Sequence, residues 1–189
     1  FFSAELDEAL LAGDVDFCVH SLKDLPSGRH NGIVRAALPL RERPCCVSYV
    51  GRLEPYKRID VLLRAAARLV VGFPDLRLVL IGRGNDRPRL ETLAAQLGIG
   101  ARTHFAGFVS DDERDEILAQ SRVCVCPSEK EGWGLTVLEA AACGIPTIST
   151  AVGLLPDYPQ MGVSVPVGDD AALAKAIEKP RNYEVGKEL

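Results

Sequence analysis

The sequence lacks the features that mark metal sites, nucleic-acid-binding surfaces and membrane spans. Lysine and arginine number 22 against 26 acidic residues, for a formal net charge of -4, so nucleic acid and anionic membranes are not expected partners. None of the six cysteines forms the two-residue-spaced pairs of a zinc site, and this usage favours a reducing cytoplasm. The most apolar run, 135–155, is interrupted by Glu139 and Pro146, so no transmembrane segment is predicted. The first residues have no basic flank, which argues against a signal peptide.

The chain has 189 residues, of which 47% are hydrophobic, so it is long enough for one complete domain or for one domain and a fragment. Residues 1–44 predict a short capped helix, a strand at 15–19 and loops. From Cys45 onward, short apolar runs alternate regularly with amphipathic segments, and the last stretch, 179–189, is polar. We therefore predict three segments: an N-terminal α/β fragment at 1–44, a domain at 45–178 and a loose polar tail at 179–189.

Residues 45–178 alternate short apolar runs with amphipathic segments. Such alternation predicts a doubly wound parallel sheet, a Rossmann-like α/β fold with helices on both faces. Strands are expected at 46–50, 76–81, 103–106, 123–126, 146–150 and 163–167. Helices are expected at 111–120, which starts with acidic residues, at 135–143 and at 170–178. Apolar residues at helical spacing predict two more, one on the stripe from Ile59 to Val70 and one on the stripe from Leu90 to Leu97. In such sheets the ligand lies outside the carboxyl ends of the strands.

Charged residues follow the first predicted strand. Gly51 and Arg52 come at its end, and Lys57 stands where the next helix is expected to begin. Two cations beside a helix N-terminus are suited to a diphosphate. The spacing alone is also compatible with solvated surface charges.

The segment 127–146 carries a sharper pattern. Glu131 lies in the loop before the predicted helix, and Glu139 lies eight positions later, a turn into it. Gly132 and Gly134 allow close approach of the backbone to a ligand and leave helix-start N–H groups available for a phosphate. The two carboxylates are suited to hydrogen bonding a sugar and a ribose; the alternative is a helix-terminal charge and a solvent-facing glutamate.

Together with Gly82-Arg83-Gly84 and the segment 105–109, these motifs resemble the donor-binding C-terminal half of GT-B retaining glycosyltransferases of the family-four type, from about Val47 to Glu178. The resemblance implies that Arg52, Lys57 and Glu131 are catalytic. It implies a nucleotide-sugar substrate, a UDP-, GDP- or ADP-sugar, with no covalently bound cofactor and no metal ion. The donor-binding residues that it implies are Gly51, Gly82, Val109, Gly132, Trp133, Gly134, Leu135, Thr136 and Glu139.

A complete enzyme of that family has a second Rossmann-like domain, which binds the acceptor, and residues 1–44 do not resemble it. They include His20-Ser21-Leu22-Lys23-Asp24-Leu25-Pro26, and they resemble a stretch of porphobilinogen deaminase (hydroxymethylbilane synthase). That resemblance implies that Lys23 and Asp24 contact a dipyrromethane cofactor and pyrrole chain, whereas the simpler interpretation is a polar turn. The chain is thus expected to be chimeric. Its function is predicted as a glycosyltransferase donor-binding domain that needs an acceptor domain for activity, with a deaminase fragment or an inactive scaffold as alternatives.

Overall fold

The computed structural model describes residues 46–142, 145–153, 156 and 162–178. The deaminase-like segment 1–44, with Lys23 and Asp24, lies outside the described residues. So do Cys45 and the predicted tail, 179–189. Within the described ranges, no helix is both long and apolar enough for a membrane span.

Six strands and five helices make up the described part of the domain. The strands are β1 (Cys46–Val50), β2 (Arg77–Ile81), β3 (Thr103–Gly107), β4 (Val123–Cys126), β5 (Thr147–Thr150) and β6 (Gly162–Val165). The helices are α1 (Ile59–Leu69), α2 (Arg87–Gln96), α3 (Asp111–Gln120), α4 (Leu135–Ala142) and α5 (Asp170–Glu178). Two 3-10 turns, Pro55–Lys57 and Gly100–Arg102, precede α1 and β3.

All strand pairs are parallel, and the sheet order is β3-β2-β1-β4-β5-β6. This is the doubly wound Rossmann-like arrangement predicted from the sequence. The strand order reverses between β1 and β4, which pair through Val47 with Val123 and Ser48 with Cys124. A crevice opens at such a switch point, because the connections on its two sides leave toward opposite faces of the sheet.

The sheet has apolar packing on both faces. Alternate β1 residues Val47 and Tyr49 belong to the larger core cluster, with α1, α2 and α5. Val50 packs instead with a smaller cluster that includes Leu118 of α3 and Ala140 of α4. This two-sided burial explains why β4 consists of valine and cysteine alone, and it also buries Ser48 of β1 completely.

Several predicted bounds agree with the structure. Those of β1, β4, α3 and α5 are confirmed without change, and Ser110 caps α3 by accepting a hydrogen bond from the Glu113 N–H at 3.2 Å. The helix predicted to reach Cys143 is described to Ala142, and Cys143 itself lies outside the described residues.

Prolines account for two differences. β5 begins at Thr147, because Pro146 has no N–H to donate and contributes only its carbonyl, which accepts from the Cys124 N–H. The last strand ends at Val165 rather than at Val167, because Pro166 begins a turn closed by the Asp169 N–H. Small shifts elsewhere begin β2 at Arg77 rather than at residue 76 and extend β3 to Gly107.

Candidate functional site

Two glycine turns meet at the carboxyl ends of β1 and β2. Gly51 has φ +150° and donates its N–H to the Ile81 carbonyl, and Gly82 has φ +133° and donates to the Gly107 carbonyl. A Cβ on Gly82 would lie 1.9 Å from the Gly51 carbonyl oxygen. Glycine is therefore required at position 82 both by its dihedral angle and by its neighbour.

Lys57 lies in the 3-10 turn, not in the first turn of α1 as predicted. The correction follows from Arg58, whose left-handed φ of +50° separates the turn from the helix that starts at Ile59. The Lys57 Nζ donates to Glu131 Oε1 at 2.6 Å and Oε2 at 2.7 Å. Only 12% of the Lys57 side chain and 13% of the Glu131 side chain are exposed, so two predicted catalytic residues form a mostly buried ion pair.

Two further side chains donate to Glu131. The Ser128 hydroxyl bonds to Oε1 at 2.6 Å, and the Cys126 thiol lies 3.5 Å from the same oxygen. Burial by itself raises the pKa of Glu131, but the hydrogen bonds from Lys57 and Ser128 outweigh it and hold that pKa below its usual value. Glu131 is therefore a buried carboxylate that stays ionised at neutral pH.

Two groups near Glu131, the Cys126 thiol and the Tyr49 hydroxyl, are kept neutral. Burial, followed by the charge of Glu131, raises the pKa of the Cys126 thiol. Burial also raises the pKa of Tyr49, and the nearby Cys126 and Glu131 add to the effect. The Tyr49 hydroxyl donates to the Arg52 carbonyl at 2.8 Å and so supports the turn after β1.

The segment after Glu131 leads into α4. Gly132 is exposed with no atom near its Cβ position, and Trp133 is 71% exposed. Gly134 has φ +68°, and α4 begins at Leu135, which is also exposed. This places the unpaired N–H groups of a helix start beside an open stretch of backbone, which is an arrangement suited to anions.

Neighbouring strands fix this turn in place. The Thr136 hydroxyl donates to the Val50 carbonyl at 3.0 Å, which ties the start of α4 to the end of β1. A Cβ on Gly153, beyond β5, would come within 3.0 to 3.1 Å of the Trp133–Gly134 peptide. The close approach shows that Gly153 itself packs directly on the turn.

Glu139 lies in α4 and pairs with Arg114 rather than with Lys57. Its Oε1 is 3.4 Å from Nη1 of Arg114 on α3, and about a third of the Glu139 side chain is exposed. Arg114 also bonds to Asp111 and Asp115. An accessible carboxylate held by a partly buried arginine is able to accept hydrogen bonds from hydroxyl groups.

An aromatic surface lies beyond the ends of β2 and β3. The Arg83 guanidinium lies 5.6 Å from the centre of the Phe108 ring, which is 75% exposed. Val109 is half-buried next to it.

The structure brings some of the predicted residues into contact and leaves others apart. Lys57 contacts Glu131, and Arg52 reaches this group through Tyr56, whose hydroxyl accepts from the Arg52 Nη2 at 2.7 Å. Glu139 is held separately by Arg114. Within the part of the chain that the structure describes, no three His, Cys, Asp or Glu side chains are grouped as metal ligands.

Sequence reasoning missed several contributors to the site, among them Ser128, Tyr56 and Arg114. Ser128 stood in the segment singled out as a motif, three residues before Glu131, and that spacing was a usable signal. Tyr56 and Arg114 had none, because their contacts with Arg52 and Glu139 depend on tertiary placement.

The fold and site together define a class. A doubly wound sheet with cations, an ionised carboxylate and a helix start at its topological switch point belongs to the α/β domains that hold a ligand beyond the carboxyl ends of their strands. The family model of glycosyl transferases group 1 matches residues 32–181, and the chain belongs to this family. The match begins 13 residues before the predicted boundary at 45, so it includes part of the segment in which we found the deaminase resemblance.

Similarity to individual proteins agrees with the family. The chain is 40% identical to the D-inositol 3-phosphate glycosyltransferase of Rhodococcus opacus over 146 residues, which cover 74% of this chain and 31% of that one. Its structure is similar to sucrose-phosphate synthase of Thermosynechococcus elongatus, with a TM-score of 0.65, 36% identity and coverage of 75% and 36%.

A third similarity shows the fold alone. HepE of Anabaena, solved in complex with UDP, has a TM-score of 0.64 at 23% identity, with coverage of 72% of this chain and 38% of that one. The chain thus spans about a third of the length of each of these three proteins.

Proposed function

We propose that residues 45–178 bind a nucleotide-sugar donor and take part in transfer of its glycosyl group with retention. The observation that carries this proposal is the contact between Lys57 and Glu131, which are 74 positions apart in the sequence and meet at the switch point of the sheet. A cation for the diphosphate and a carboxylate for the sugar are then side by side. UDP, the ligand in the HepE structure, is one candidate nucleotide, beside GDP and ADP.

Each part of the donor has a matching group. Arg52, Lys57 and the N–H groups at the start of α4 bind the diphosphate, since all present positive charge. Glu131 and the open backbone from Gly132 to Gly134 bind the transferred sugar. Further groups are assigned by position: Leu135 and Thr136 at the helix start, Trp133 beside the sugar, Glu139 at the ribose, and Gly51, Gly82 and Val109 lining the nucleotide.

In the proposed reaction, the bond between the anomeric carbon and the β-phosphate oxygen breaks, and the acceptor hydroxyl oxygen bonds to that carbon on the same face. The hydroxyl proton is released, and the nucleoside diphosphate leaves with one more negative charge. Arg52 and Lys57 stabilise this charge as it develops. Since these cations supply the electrostatic stabilisation, the proposed reaction uses no metal ion.

The proposal includes an acceptor-binding domain outside residues 45–178, because the chain spans only 31% of the Rhodococcus relative. A reducing cytoplasm remains the proposed location, on cysteine usage alone. The boundaries at 45 and 178 are part of the same proposal.

Thermal unfolding of the full chain with and without UDP, GDP and ADP tests the donor site. A nucleotide at 100 times its dissociation constant adds about 2.7 kcal/mol, which for a chain of this size raises the midpoint by about 5–10 °C. The double variant Arg52→Ala, Lys57→Ala should lose the shift. Lys175→Ala, which replaces an exposed lysine of α5, should keep it. Equal shifts in the parent and the double variant would refute the site assignment, and no shift with any nucleotide would refute the function.

A further inference from the structure

Tyr56 is surrounded by three cations. The Arg52 guanidinium carbon lies 6.0 Å from the centre of its ring, and the ammonium nitrogens of Lys57 and Lys130 each lie 5.4 Å from it. Cations at such distances are attracted to the face of an aromatic ring. We call these four residues the Tyr56 cluster.

The cluster joins loops from two neighbouring strands. Arg52, Tyr56 and Lys57 follow β1, whereas Lys130 follows β4, on the other side of the switch point. The Glu129 N–H donates to the Tyr56 carbonyl at 2.8 Å, which fixes the backbone next to Lys130. Lys130 is therefore held over the same crevice as Arg52 and Lys57, although it comes from a distant part of the sequence.

The cations of the cluster exceed the carboxylates that pair with them. Glu131 pairs with Lys57, and the Glu129 carboxylate is bound to Arg58 at 2.8 Å. No ion pair is formed by Arg52 or Lys130 within the described ranges 46–142, 145–153, 156 and 162–178. Grouping like charges is unfavourable without an anion, and the two phosphates of a nucleoside diphosphate sugar are ionised at neutral pH.

We infer that Lys130 is a third phosphate-binding residue of the donor site and that Tyr56 is a positioning residue that holds the cations over one crevice. The inference rests on the proposed function and extends it to a residue outside the donor-site residues predicted from the sequence. Lys130 is exposed, so its side chain is accessible to a ligand. Its contribution is electrostatic, and salt should therefore weaken it.

Calorimetric titration of UDP, GDP and ADP into the full chain tests the role of Lys130. Lys130→Met should weaken nucleoside diphosphate binding about fivefold at about 50 mM salt, the size of a partly exposed charge pair. At about 1 M salt the difference from the parent should nearly disappear, because charges on the surface are then screened. Lys175→Met is the matched control and should bind like the parent at both salt concentrations.

Tyr56 is tested with two replacements. Tyr56→Phe keeps the ring and should bind nearly as the parent does, whereas Tyr56→Leu should weaken binding at low salt and reduce the further effect of Lys130→Met. If the parent binds a nucleotide but Lys130→Met binds it equally well at low salt, or its deficit persists unchanged at high salt, the inference is wrong. Equal binding by Tyr56→Leu and the parent overturns the positioning role. Failure of the parent to bind any of the three nucleotides refutes the proposed function itself.

Discussion

The replacement Lys57→Met is expected to destabilise the fold, because it leaves a buried carboxylate without its cation. Glu131 is 13% exposed and would keep only the hydrogen bonds from Ser128 and Cys126. Removing one partner of a fully buried ion pair costs about 3–5 kcal/mol. The residual exposure and the Ser128 bond reduce the expected cost to about 2–3 kcal/mol at pH 7.

The expected cost depends on pH in a defined direction. In the parent, Glu131 has a lowered pKa, so its contribution to stability is present above the usual glutamate pKa and is lost as the pH falls through the lowered value. In Lys57→Met, burial without the cation raises the Glu131 pKa, and protonation relieves the penalty as the pH falls. The difference in stability between parent and variant should therefore be large at pH 7 and shrink toward about pH 4.

Urea unfolding followed by circular dichroism at several pH values measures this difference. The double variant Lys57→Met, Glu131→Gln should recover most of the loss at pH 7, because no unpaired charge remains. Lys175→Met serves as the control for loss of an exposed lysine. A Lys57→Met variant as stable as this control at pH 7, or a deficit that is constant down to about pH 4, would refute the reasoning.

Three further predictions follow from the site. Gly82→Ala should lose about 4 kcal/mol from its positive φ and its clash with the Gly51 carbonyl, whereas Gly132→Ala, in open space, should change the urea midpoint little. Glu139→Gln should weaken binding of the ribonucleotides UDP, GDP or ADP about tenfold and leave their 2′,3′-dideoxy forms unchanged; equal losses for both forms would contradict ribose contact. In a calorimetric titration, Glu131→Gln should bind the nucleoside diphosphate more tightly than the parent, because the diphosphate no longer competes with a carboxylate for Lys57. An attached sugar should not strengthen the binding of this variant further. Weaker diphosphate binding by Glu131→Gln than by the parent would contradict the competition for Lys57.

The strands and helices were predicted well because the sequence signals that mark them are local. The apolar stripe of α1 and the acidic first turn of α3 are set by side chains within a turn or two of one another. The left-handed Arg58 has no such signal, and its conformation moved Lys57 out of the helix in which we expected it.

The candidate site was predictable only in outline. The switch point and the motif at 127–146 place both loops at one edge of the sheet, as expected for a doubly wound fold. The hydrogen bonds from Lys57 to Glu131 and the packing of Lys130 against Tyr56 depend on how those loops lie on each other. Such contacts join residues more than 70 positions apart, and no local pattern encodes them.

The ion pair between Lys57 and Glu131 has a consequence for donor binding. It allows the buried carboxylate to remain ionised in the ligand-free domain, since Lys57 compensates its desolvation. The same cation is assigned to the diphosphate, so a bound donor must share Lys57 with Glu131 or draw it away. If Lys57 moves, a sugar hydroxyl can replace it as a hydrogen-bond donor to Glu131, while a nucleoside diphosphate without sugar leaves the carboxylate partly unsatisfied. The pair thereby gives this site a physical reason to favour a nucleotide sugar over the nucleotide alone.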